Sequence, residues 1–176
     1  MKVIMLEAFR HSTWAMKQLL ATCRGLTMAQ LTGPGSAADM EGRGGKDWSR
    51  ERNIVAIFNH IIRSDRGYVS RRGDRPEWAE SEEDSDHFDE LERRAEENAL
   101  VWERFLSELI DPRKLLVLDE GAYEAEQSVL LVQALYHIHI HLEQVSAILI
   151  RLGVEPPDLQ AWSYAEATDQ ARPRPT

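Results

Sequence analysis

Residues 127–152 read QSVLLVQALYHIHIHLEQVSAILIRL, and the fold turns on the piece YHIHIHLEQV at 136–145. Three histidines there alternate with isoleucine and leucine, which over six residues looks like a strand. The surroundings decide otherwise. The stretch runs from Gln127 to Leu152 without a glycine or proline, whereas strands usually end within ~10 residues. The spacing predicts one long helix, apolar on nearly every side: Leu130, Leu131, Val132, Leu135, Ile138, Ile140, Val145, Ile148, Leu149, Ile150. Such a helix is either central in a core or shared with a second subunit. Gly153 and the prolines of GVEPPD close it.

Three other segments carry helical period. Leu6, Phe9, Thr13, Met16, Leu20 and Cys23 line one face of a first helix ending near Gly25; Ile54, Ile57, Ile61 and Tyr68 line a second; Phe88, Leu91, Ala95, Asn98, Trp102, Phe105 and Leu109 alternate three and four apart in a third. The expected helices are 2–25, 50–72, 86–110 and 127–152, in one domain over 1–165, with 166–176 a disordered tail. With four long helices and no convincing strand, the fold class is all-α, a four-helix bundle. The connection over 26–49, rich in glycine and closed by Ser49 as N-cap, permits a crossover that sets the first two helices parallel.

Composition narrows the partners. Lys and Arg number 21 against 30 Asp and Glu, a net charge of −9, which disfavours nucleic acid and anionic membrane surfaces. The segment QSVLLVQALYHIHIHL is too short and polar for a bilayer span. Glu7, Arg10 and His11 interrupt any apolar leader. Cys23 stands alone, consistent with a reducing cytoplasm and with a small buried residue. The expectation is a cytoplasmic protein acting on a small molecule, without nucleic acid or membrane partners.

On a helix each residue turns ~100°, so His137 and His141 lie ~40° apart and one turn along, within reach of one ion, while His139 points nearly the opposite way. Two imidazoles make half a site. His60, midway along the second helix, is the candidate third ligand, leaving an open coordination position of the kind metal catalysis uses. Ala56, Ser64 and Gly67 flank it as a line of small residues that leaves a hollow. Trp14 is placed as one wall of the pocket, with Ala56 and Ser64. The bland reading of the same pair is hydrogen-bonded core or surface histidines; His11 and His87 read as surface residues and His139 as packed at an edge or interface. Glutamate is absent after His137, so the pair is not the metalloprotease motif, and neither inward face supplies the Glu-x-x-His repeat of di-iron bundles.

Taken together, these residues resemble the DinB/YfiT-like superfamily of metalloenzymes. The likeness is carried by His60 in AIFNHIIRSD, by H-x-x-x-H-x-x-Q at His137, His141 and Gln144, by the ending IRLGVEPPD with an aromatic beyond it, and by an opening helix AFRHSTWAMKQLLATCRGLT bearing Trp14. It covers most of the chain. It implies a four-helix bundle, often dimeric, in which His60, His137 and His141 bind a divalent metal such as zinc or nickel. It further implies a transferase or hydrolase that activates a low-molecular-weight thiol or water. The chain departs from the family in having Leu142-Glu143 where Arg-Gly is common. The alternative reading is a non-catalytic helical dimer with a structural metal or none.

Overall fold

The computed structural model describes residues 2–33, 53–70, 83–108, 111–118 and 122–172. Its long helices are α1 (Lys2–Cys23), α3 (Ile54–Ser70), α4 (Phe88–Ser107) and α5 (Gln127–Arg151), joined by short helices α2 (Met28–Thr32) and α6 (Ala161–Ala167) and a two-stranded ribbon, β1 (Leu115–Leu118) with β2 (Tyr123–Glu126). The all-α bundle is therefore present, and its four long helices follow the four periodic segments. Asn53 caps α3, its Oδ1 accepting from the Ala56 amide at 2.8 Å; the cap expected at Ser49 lies outside the described residues. Helix α5 ends as its sequence predicts: Gly153 has φ of 73°, and its amide and that of Val154 return to Ile150 O and Leu149 O at 3.0 and 2.9 Å.

Side-chain contacts fix the directions. Asn98 Nδ2 donates to Ile62 O at 3.1 Å and Trp102 Nε1 to Asp65 Oδ1 at 2.6 Å, so α3 and α4 run parallel. Arg10 meets Glu103, Lys17 meets Glu96 and Arg24 meets Asp89, so α1 and α4 are antiparallel. Helix α1 packs on α4 and α5, and α3 packs on the same two, so α1 and α3 take opposite corners. The crossover that the long connection permits, which would set the first two long helices parallel, is not realised: α1 and α3 are antiparallel across a diagonal. Because His60 faces His137 and His141 while Tyr68 faces Gln133, α3 and α5 are antiparallel as well.

The ribbon corrects the expectation of no strand. Leu116 and Leu118 are buried with Ala125 and pack beside Leu130 and Tyr68, while Leu115 and Val117 face outward. This is period two over four residues, too brief to register against the helical stretch that follows. Helix α2 likewise falls outside the four expected helices; Thr27 and Gln30 start it with a capping box whose reciprocal bonds are 3.3 and 2.9 Å. Of the tail expected from 166 onward, α6 continues to Ala167 and Gln170 Nε2 donates to Glu7 Oε2 at 3.1 Å; residues 173–176 lie outside the described residues.

Beside the site, buried Asn59 locks the approach to α4. Its Nδ2 donates to Val55 O and Ser85 O at 2.9 and 2.8 Å, and its Oδ1 accepts from Ser85 N at 2.9 Å. Every polar atom of this amide is satisfied in a dry interior, which holds α3 in register with the segment that begins α4.

Candidate metal centre

His60 comes from the middle of α3, and His137 and His141 from successive turns of the antiparallel α5. Their ring centroids stand 4.8 Å (His60–His137), 4.5 Å (His60–His141) and 4.5 Å (His137–His141) apart. One nitrogen of each lies within 4.8 Å of the others, and no other group of three potential ligands forms among the described residues. His60 Nε2 and His137 Nε2 are 2.9 Å apart. The residues predicted from spacing converge on one point, two half-buried and His141 buried.

The electrostatics suit a cation. Burial pushes the His137 imidazole down to about 3, with His141 and His60 adding to the shift, so at pH 7 it is neutral with a lone pair to offer. His141 Nδ1 donates to Gln144 Oε1 at 2.6 Å, which assigns the proton to Nδ1 and turns the Nε2 lone pair inward, the arrangement by which outer partners orient a ligating imidazole. His137 Nδ1 is buried with no hydrogen-bond partner among the described residues. A tetrahedral ion held by three imidazoles at ~2.0–2.1 Å fits a donor set this close.

The flanks are mixed. Ala56 and Ser64 are half-buried on α3, one turn either side of His60, and a Cβ placed on Gly67 would meet nothing within 4 Å, so space does open along that line. Trp14 lies elsewhere, in ring contact with His11 at 6.0 Å and Tyr164 at 5.7 Å, beside the groove between α1 and α4 lined by Phe9, Thr13, Gln18 and Ala99. Tyr68 reaches the site unforeseen, its ring 5.8 Å from His137. Its position two turns beyond His60 was the available signal, masked because the residue also fits an apolar stripe.

The remaining histidines are sorted by the fold. His11 is not a plain surface residue: half-buried, it donates from Nε2 to Leu159 O at 2.7 Å and stacks on His139 at 5.4 Å. His139 packs on α1, its Nε2 3.1 Å from Ser12 Oγ, on the face of α5 turned away from His137 and His141. His87 is exposed. Cys23 is buried in the main core, where burial pushes its thiol up to about 12, so it is no nucleophile at neutral pH.

A sequence model of the DinB family matches residues 1–174. The chain belongs to the DinB family. A search of curated proteins finds no match to it. As a DinB protein it carries the helical bundle and the three-histidine group together, and no helix among its described residues is long and apolar enough to cross a membrane.

Proposed function

We propose that this DinB protein holds a divalent metal, zinc or nickel, on His60, His137 and His141, and uses it as a transferase or hydrolase acting on a small molecule. The observation that carries the reading is the convergence of three imidazoles from two antiparallel helices within 4.8 Å. The chemistry such an ion supplies is acidification of a thiol or a water, which makes thiolate or hydroxide available near pH 7. The chain's own residues hold the donors ready: Gln144 fixes the His141 tautomer, burial keeps His137 neutral, and Tyr68 sits against the His137 ring on the side toward the ribbon. The half-buried line of Ala56, Ser64 and Gly67 leaves room for substrate. A low-molecular-weight thiol is the proposed co-substrate, and the protein is proposed to act in the cytoplasm as a homodimer.

Elemental analysis of untagged protein tests this directly. One equivalent of metal per chain in the parent, lost in His60→Ala and His137→Ala with helical content unchanged, is the expected result; a parent that binds none at micromolar zinc or nickel defeats the reading. Titrating small thiols into cobalt-substituted protein then tests the co-substrate. New sulfur-to-cobalt absorption supports thiol activation, and an unchanged spectrum removes the thiol and leaves water activation or the non-catalytic helical dimer.

A further inference from the structure

The inner face of α5 is consumed by the bundle, yet its outer face is apolar too. Val129, Val132, Tyr136, Ile140, Glu143, Ala147 and Ile150 follow one another at three and four residues, which on a helix is a single straight stripe. The bundle leaves most of it open: Val129 is 53%, Val132 63%, Tyr136 58% and Ile150 62% exposed, while Ile140 and Ala147 are half-buried. From Gln127 to Ile150 the helix carries one formal charge, Glu143.

The stripe also has a symmetry. Val129 and Ile150, Val132 and Ala147, and Tyr136 and Glu143 are all centred on the same point, between His139 and Ile140. Laid antiparallel on its own copy about a two-fold axis through that point, the helix sets each member of a pair opposite the other, as an isologous contact requires. Aliphatic meets aliphatic at both ends. The stripe's two polar residues also answer one another, since the Tyr136 hydroxyl donates and the Glu143 carboxylate of the second copy accepts, twice by symmetry. A foreign partner would impose no such mirrored order. Charge points the same way: at −9 per chain, most faces of two copies repel, and this one brings a single carboxylate from each, met by a phenol.

We infer that the outer face of α5 is the dimer interface, with α5 packed antiparallel on the α5 of a second copy about an axis beside Ile140. This rests on the homodimer proposed above and names its surface.

Sedimentation equilibrium and cysteine cross-linking of the full chain test it. The parent is expected to be dimeric at micromolar concentration, and Val132→Glu to be monomeric with unchanged helical circular dichroism, because the side chain is exposed in the monomer. Tyr136→Phe removes both symmetric hydrogen bonds and is expected to raise the dimer Kd about tenfold. Cys23 is fully buried, so introduced cysteines report alone. Under mild oxidation Ile140→Cys gives disulfide-linked dimers, whereas Val129→Cys does not, its two copies lying roughly 30 Å apart along the antiparallel helices. Should Val132→Glu fail to fold, this cysteine pair still decides. Cross-linking at both positions overturns the antiparallel arrangement. A parent dimer indifferent to Val132→Glu and not cross-linked through Ile140→Cys overturns this surface but leaves the homodimer standing. A parent that stays monomeric overturns both.

Discussion

Asp65 is the buried acid of the core, and burial pushes its carboxyl up from its ordinary 3.8 to about 7, partly offset by the donors Trp102 and Asn98. Its folded pKa therefore lies above its unfolded one. The stability it contributes is full below about pH 4 and is lost as pH rises through about 7. Asp65→Asn keeps an oxygen to accept from Trp102 Nε1 and removes the ionisation. Urea unfolding is expected to show this variant gaining roughly 1–3 kcal/mol on the parent between pH 5 and pH 8; parallel pH profiles for the two proteins would reject the assignment. At the candidate metal centre the corresponding single residue is Gln144. Gln144→Ala leaves all three imidazoles but frees the His141 tautomer, so metal affinity measured by chelator competition is expected to fall about 10–100-fold. His60, His137 and His141 were legible as a set because the helical period places two of them by arithmetic. Gln144 followed from its motif, whereas Asp65 and Asn59 carry no mark in the sequence that separates a buried polar residue from an exposed one.

At the level of elements, α3 combines a ligand, a dry polar anchor and a gap. Gly67 sits inside this helix with nothing within 4 Å of where a Cβ would stand. Gly67→Ala is therefore expected to stabilise the protein by about 0.5–1 kcal/mol through the helix backbone alone, read as a higher midpoint in thermal unfolding; a lower midpoint would mean that the space is not free. The four long helices were readable because each sustains its period over many turns. The ribbon and the short helices were not, since four to seven residues carry too little pattern, although α2 did announce itself in the capping pair Thr27 and Gln30. Trp14, expected as a wall of the pocket, packs against Tyr164 and His11 from α1, the helix on the corner opposite α3.

For the whole molecule, charge acts in two directions. Across α1 and α4 the pairs Arg10–Glu103, Lys17–Glu96 and Arg24–Glu92 form a ladder at 2.8, 2.5 and 2.8 Å, and being solvent-exposed each is worth no more than about 1 kcal/mol. Between copies, the net charge of −9 opposes association. Raising NaCl from 20 to 500 mM is accordingly expected to weaken the ladder slightly, seen as a small loss of unfolding free energy. The same change should tighten the proposed homodimer, seen as a lower Kd by sedimentation; a Kd that rises with salt would count against an interface poor in charge. The sequence by itself determined the helical class, the four long segments, the chemistry of three imidazoles and the apolar character of α5 on nearly every side, because these follow from local period and from residue type. Only the tertiary structure decided that α1 and α3 cross on a diagonal, that Tyr68 stands beside His137, and that His11 and His139 pair on the other face of α5. Those outcomes depend on which helices are neighbours and in which direction they run, and that is settled by side chains far apart in the chain competing for one core.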